Sequence, residues 1–361
     1  MSARLPMDEQ LGVQVTPWAP APAIIDMGRR LRDQVDTVFV QDQMLARNVF
    51  TLLGALASHG CGVGTNVTWP FARNPIEMAS SAATMSELTP DGRHVTIGIG
   101  SGGALAAALF DLSDRARVVE EAIVLMKALW AGEDVELDRF PLLGQRLGYV
   151  PGASATMTYP VHRTPRVIVA GVGPRITAVA AEHADGVIAA SNLPMYSAAS
   201  MRSGAYGELV VSQPLVARAN RDPSFRLHYG MNVSVGRDRD RARAHARRQA
   251  ALIVGNPGMW PAMERLDFDM ASVHAVKAEF DDGRGIEGAA EQVSTSLADA
   301  LIISGTVDDV VAPLADLRAL AMAHGYTDFF LGGPLGPDPL EAADLLSVGV
   351  IPSVWPDRKA P

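Results

Sequence analysis

Four short stretches carry the residues that could do chemistry. In "FVQDQ", Asp42 and Gln43 close an apolar run, placing a carboxylate and an amide at the C-terminal end of an expected strand. A carboxylate there can move a proton, and it can equally cap the following helix; the residues leave both readings open. In "GVGTNVTWPFARNP", Gly62 to Pro75, a strand-like start gives way to Thr65, Asn66 and Thr68, then to Trp-Pro and Asn-Pro. A strand with only packing to do would continue with Val and Ile, so this backbone is shaped for something besides the core.

"GIGSGG", Gly98 to Gly103, satisfies G-x-G-x-x-G, yet it follows the fourth expected strand rather than the first. The acidic residues about twenty positions on, Glu120 and Glu121, fall inside an amphipathic helix, unlike the ribose-binding acid of a dinucleotide fold. Glycines at Gly100 and Gly102, flanking Ser101, instead let a flat ligand approach the backbone. "AGVGPRITAVAAEHADGVI" has the form of a phosphate cradle. Gly171, Val172 and Gly173 end a strand, Pro174 suits the first helical turn, and Arg175 adds a positive charge beside free amides. A plain strand-to-helix turn that needs glycine is the other reading. The eight His residues show no metal-ligand spacing, and no Gly-x-Ser-x-Gly elbow is present.

The elements that must position these residues alternate along the chain. Apolar runs at Leu11 to Val15, Asp36 to Asp42, Gly62 to Thr68, His94 to Gly100, Arg166 to Gly171, Asp185 to Ala190, Arg226 to Val235 and Thr327 to Gly333 are separated by helical patterns. Eight strands in a βα rhythm close a (β/α)8 TIM barrel, an α/β fold whose chemistry sits at the strand C-terminal ends. Val118, Val119, Ala122, Ile123, Met126, Leu129 and Trp130 form a helical stripe, and Thr306 is placed to cap another helix. Insertions at about 131–165 and 255–299 break the rhythm and are expected as lids at the strand C-terminal ends of a single domain, 1–361.

At 361 residues, 48% hydrophobic and 20% charged, the chain can bury a large core. A net charge of −9 argues against a nucleic-acid binder, and the Asp-interleaved run Gly236 to Arg248 reads as a solvated helix. The single Cys61 forbids an internal disulfide, no window is long enough for a membrane span, and "MSARLPMDEQLG" lacks a signal peptide's apolar run. The cytoplasm is the expected compartment.

These residues together resemble the luciferase-like monooxygenase superfamily, in the branch of F420-dependent methylenetetrahydromethanopterin reductase-like oxidoreductases. The resemblance rests on "VGTNVTWPFARNP", "HVTIGIGSG", "RARVVEEAIVLMKALWAGEDV", "PRVIVAGVGPRITAVAAEHADGVI", "AALIVGNPGMW", "ISGTVDDVVAPL" and "LGGPLGPDPLEAADLL", in family order over most of the chain. It implies coenzyme F420 as cofactor, with FMN as the alternative, and a non-prolyl cis peptide at Asn66-Val67 behind the deazaflavin ring. Thr65, Asn66, Val67 and Thr68 would border that ring, with Gly100, Ser101 and Gly102 beside it. Gly171, Val172, Gly173, Pro174 and Arg175 would hold the phosphate, and Arg47 and Arg73 would gather near Arg175 at the entrance. The implied catalytic set is Asp42, Gln43 and Asn66.

Departures from the resemblance narrow the reaction. Gln43, Gly103 and the uncharged "ASNLP" stand where the sugar-phosphate dehydrogenases of the family carry His, an acid and Lys. Gln14 and Gly103 stand where the methanopterin reductases carry Glu and Asp. An acceptor that is already electron-poor (an iminium, activated alkene or nitroaromatic) needs no strong protein acid. A two-component FMN monooxygenase and a cofactor-binding barrel without catalysis are the alternatives. Expected partners are a small-molecule substrate, a second copy of the chain as a homodimer, and a separate reductase supplying reduced cofactor.

Overall fold

A computed structural model describes residues 9–102, 104–171, 173–190, 213–265 and 268–358. The barrel strands are β1 (Gln10–Val15), β2 (Thr37–Val40), β3 (Val63–Thr68), β4 (Val95–Gly100), β5 (Arg166–Ala170), β6 (Gly186–Ala190), β7 (Arg226–Val235) and β8 (Asp328–Leu335). All eight run parallel, and pairing of β6 with β7 and of β8 with β1 closes the sheet. Each strand coincides with one of the apolar runs. Alternation explains the two faces: Leu11, Val13, Val15, Val38 and Val40 face the helices, while Gly12 and Phe39 line the lumen.

The lumen is filled midway by Phe39, Ile168, Ile188 and Phe330, with Val67 and Ala170 packed on them. Phe39 and Phe330 meet edge to face at 6.0 Å between ring centroids. Glycine makes room for this plug, because a Cβ on Gly12 or Gly64 would lie 2.6 or 2.8 Å from the Phe39 ring. The barrel is thus a packed core with a floor, and a ligand can occupy only its ends.

The helices start where the sequence places caps. Asn48 and Asn74 accept from Thr51 N and Ile76 N, and Thr306 and Asp309 form a reciprocal box ahead of helix Val307–Ala323. The run Gly236 to Arg248 enters helix Arg239–Val254, whose Asp238 cap and buried Ala242, Ala246 and Ala250 fit one packed and one solvated face. Helix Arg115–Trp130 buries its whole expected stripe and anchors it through Trp130 Nε1 to the Ala79 carbonyl at 2.9 Å.

Neither insertion starts from a strand end as expected. That at 255–299 leaves the end of helix Arg239–Val254 and forms helices that pack back on it. That at 131–165 leaves the end of helix Arg115–Trp130. It climbs back to the rim: Arg146 donates to the Asp111 and Ser113 carbonyls, and Tyr149 donates to Asn74 Oδ1 at 3.2 Å. A helix Pro141–Leu147 makes this possible, its first amides held by the Glu121 carboxylate from the helix below.

Cys61 sits just before β3, 1% exposed, and burial pushes its thiol up to about 11. Very little thiolate exists near neutrality. Ellman's reagent at about pH 8 is therefore expected to leave the folded protein unreacted and to titrate one thiol after unfolding in guanidinium. Release of a full equivalent from folded protein would contradict this burial.

Candidate active site

The C-terminal end of the lumen is walled by β3 and β4. The Asn66-Val67 peptide is cis, and the β3–β4 register shifts between Thr65 and Thr68. Val67 is thereby laid across the neighbouring strand, and only glycine accepts it there. A Cβ on Gly98 would stand 2.1 Å from the Thr65 carbonyl oxygen, and one on Gly100 would stand 2.9 Å from Val67 Cγ2. Gly98 and Gly100 are therefore explained by their neighbour strand. Gly100 also registers with Ala170 on β5, which brings the β3 bulge, Gly100 and the Gly171 turn side by side.

Thr65 and Thr68 do not face the lumen. Thr65 donates to the Gly98 carbonyl at 2.7 Å, Thr68 donates to Asp42 Oδ2 at 2.8 Å, and both residues are fully buried. They hold the bulge rather than border it. Asn66 does the opposite. Its carbonyl accepts from Gln14 Nε2 at 3.0 Å, while its own Nδ2, in a residue 6% exposed, has no partner among the described residues. A buried unpaired donor carries a desolvation cost of about 1–3 kcal/mol unless a ligand meets it. Ser101 and Gly102 continue β4 at intermediate exposure, with Gly102 at φ +80°.

Asp42 is placed near this wall, but its carboxylate is fully engaged. Arg73 grips it through Nε at 3.0 Å and a terminal nitrogen at 2.8 Å, and Thr68 and the Met44 amide complete the shell. Hydrogen bonding to Asp42 holds the Arg73 guanidinium above its ordinary value. So bound, the carboxylate fixes the loops after β2 and β3. Arg73 is correspondingly withdrawn from the expected entrance cluster, and Arg47 is too, donating to the Pro17 and Trp18 carbonyls. Gln43 donates weakly to Gln41 Oε1 at 3.3 Å and is half-buried.

The turn after β5 is mixed. Gly171 is required by packing, since a Cβ would lie 2.4 Å from Ile176 Cγ2. Gly173 meets open space and caps helix Pro174–His183 without a side-chain acceptor, so the first amides stay available. Arg175 is exposed and makes no ion pair among the described residues. Val172 lies outside the described residues.

Sequence reading missed part of the floor. Asn232 on β7, 4% exposed, is in register with Gly332 on β8, and a Cβ at Gly332 would lie 2.5 Å from Asn232 Oδ1 and 3.3 Å from Gln14 Oε1. Gln14 is locked, because a carbonyl can only accept from its Nε2; its Oε1 must therefore point as an acceptor toward Gly332. The Gly333-Pro334 peptide is cis beside it. The available signal was the even spacing of Arg226, His228, Asn232 and Ser234 in an otherwise apolar strand. The site as a whole is a shelf of neutral amides, Gln14, Asn66 and Asn232, beside a glycine wall and a helix N-terminus.

The chain as a whole is similar to known proteins. The chain is 28% identical over 329 residues to the 5,10-methylenetetrahydromethanopterin reductase of Archaeoglobus fulgidus, covering 88% of this chain and 91% of that one. It is 26% identical over 351 residues to the enzyme of the same name from Methanolobus tindarius, covering 94% and 99%. Among solved structures, the coenzyme F420-dependent tetrahydromethanopterin reductase from Methanopyrus kandleri superposes with a TM-score of 0.74 at 21% identity, over 96% of this chain and 99% of that one. The family profile described as luciferase-like monooxygenase matches residues 35–324, and the chain belongs to that family.

Proposed function

We propose that this protein is an F420-dependent oxidoreductase that passes hydride between the coenzyme and an electron-poor small-molecule acceptor: an iminium, an activated alkene or a nitroaromatic. The observation that carries the reading is the buried Nδ2 of Asn66 on the β3 bulge, a donor with no partner among the described residues. A flat ring with a carbonyl edge fits that donor. Asn66 would meet the edge, Val67 would back the ring, and Gly100, Ser101 and Gly102 would flank it. The N–H groups of Gly173 and Arg175, with the exposed Arg175 charge, would receive the phosphate. When bound, reduced F420 supplies the hydride.

The chain's own part is placement and polarity. Gln14 and Asn232 turn amide oxygens to the shelf, which favours an acceptor bearing N–H groups or positive charge. Asp42, in the grip of Arg73, keeps the β3 loop in place. With no available acid on the shelf, an acceptor that needs no protein proton is favoured. An iminium becomes a neutral amine on taking hydride, and the carbanion from an activated alkene takes its proton from solvent. A second copy of the chain as partner and a separate reductase belong to the same proposal. Among the described residues no helix is long and apolar enough to cross a membrane.

The test is titration of the purified protein with F420 and FMN, followed by fluorescence of its five tryptophans, and then turnover with electron-poor acceptors. F420 is expected to bind, and Asn66→Ala to weaken that binding about tenfold through loss of a buried donor. Binding of FMN alone, with oxygen uptake on its reduction, would replace this reading by the monooxygenase one.

A further inference from the structure

A second polar concentration lies at the opposite end of the lumen, beneath the Phe39 plug. There a cavity of about 20 Å³, room for one water-sized species, is lined by Gln10, Thr37, Thr96, Arg166 and His228, with the Arg226–Asp328 pair at its side. The carboxylates at its edge are spent. Asp328 takes two hydrogen bonds from Arg226, at 2.6 and 2.8 Å, and one from Thr327. Asp185 accepts from Lys127 Nζ and from the Val167 amide, each at 2.7 Å.

The donors are not spent. Arg166 meets only neutral groups, Gln10 Oε1 at 3.2 Å and His94 Nε2 at 2.9 Å, and forms no ion pair among the described residues. Since Gln10 uses its oxygen on Arg166, its amide nitrogen remains a donor. His228 is 7% exposed, and its Nε2 has no partner among the described residues. The wall therefore presents a guanidinium without an ion pair among the described residues and several N–H and O–H donors, beside the already paired carboxylates of Asp185 and Asp328. Burial pushes the values of Arg166 and His94 down, and for each a neighbouring guanidinium pushes further, while Asp328, Asp185 and Asp36 act the other way on Arg166 and Asp36 does so on His94.

We propose that the base of the barrel binds one small inorganic anion of halide size, held between the Arg166 guanidinium and His228 Nε2–H with help from the Thr96 hydroxyl. Water fits the space but leaves the Arg166 charge uncompensated; phosphate and sulfate exceed the room. The anion ties β5 to β7 from inside. It serves stability, since the reacting end of a barrel is the other one.

Thermal unfolding at fixed ionic strength, exchanging gluconate for chloride or bromide, tests this on the intact protein. The midpoint is expected to rise with the logarithm of halide concentration above its Kd, by about 2 °C at tenfold Kd. Arg166→Gln is expected to abolish the rise and Thr96→Val to shift it to higher halide. Should Arg166→Gln not fold, anomalous scattering from a bromide-soaked crystal of the unaltered protein decides, with a peak expected between Arg166 and His228. A midpoint indifferent to the exchange overturns the proposal. So does an ordered water at that place in bromide, or a bromide peak without any stabilisation, which would mark an adventitious ion only.

Discussion

Gly98→Ala is expected to destabilise the protein by about 3 kcal/mol and to abolish cofactor binding, although it adds one methyl group. The added Cβ would lie 2.1 Å from the Thr65 carbonyl oxygen and 3.4 Å from Val67 Cγ1. A backbone atom cannot rotate out of the way, so β3 must move off β4. That movement breaks the 2.7 Å bond from Thr65 Oγ1 to the Gly98 carbonyl and displaces Asn66. Gly54→Ala is the matched control. It lies in helix Val49–Ser58 with nothing within 4 Å of its added carbon, and is expected to stabilise by about 0.5–1 kcal/mol. Denaturation midpoints of the two variants, measured together, check the argument. Equal behaviour would mean that the wall tolerates a side chain and that "GIGSGG" has another purpose.

The second large effect is at the base. Asp328→Leu is expected to cost about 3–5 kcal/mol because it strands Arg226, whose side chain is only 10% exposed, without its counter-charge. Arg226→Met is expected to cost a similar amount by stranding Asp328, at 1% exposure. The double variant replaces both charges by apolar volume and is expected to recover most of the loss, leaving it within about 1–2 kcal/mol of the parent protein. Urea denaturation of the four proteins closes a double-mutant cycle. Simple additivity of the two single losses would show that the charges are not compensating each other.

The barrel was legible because each strand is a short apolar run, and several of the helices open on a capping residue such as Asn48, Asn74, Asp238 or Thr306. Even the helix stripe from Val118 to Trp130 was complete. The direction of individual side chains at the site was not legible. Strict alternation would place Asn66 and Thr68 on one face, but the register shift between Thr65 and Thr68 turns Thr68 to Asp42. The fate of Asp42 depends on Arg73, thirty-one positions later, and no local pattern couples them. Asn232 was hidden for a similar reason. A strand buried on both faces reads as core, and the amide within it declares itself only when Gly332 and Gln14 are seen beside it. The climb of the 131–165 insertion to the rim rests on Glu121, Arg146 and Tyr149, three side chains whose partners are distant in sequence.

The pairing of β1 with β8 sets a schedule for biosynthesis. Leu11 registers with Phe329, and the residues around β1 are tied to late ones, Glu9 by Arg318 and Asp36 by Arg358. At roughly 5–20 residues per second, β1 leaves the ribosome roughly 15–60 s before β8. During that interval the wall that carries Asn66 has been made, while the free edge of β1 has no partner of its own and can recruit a strand from another nascent chain. The last eighth of the sequence thus decides when this protein stops being vulnerable.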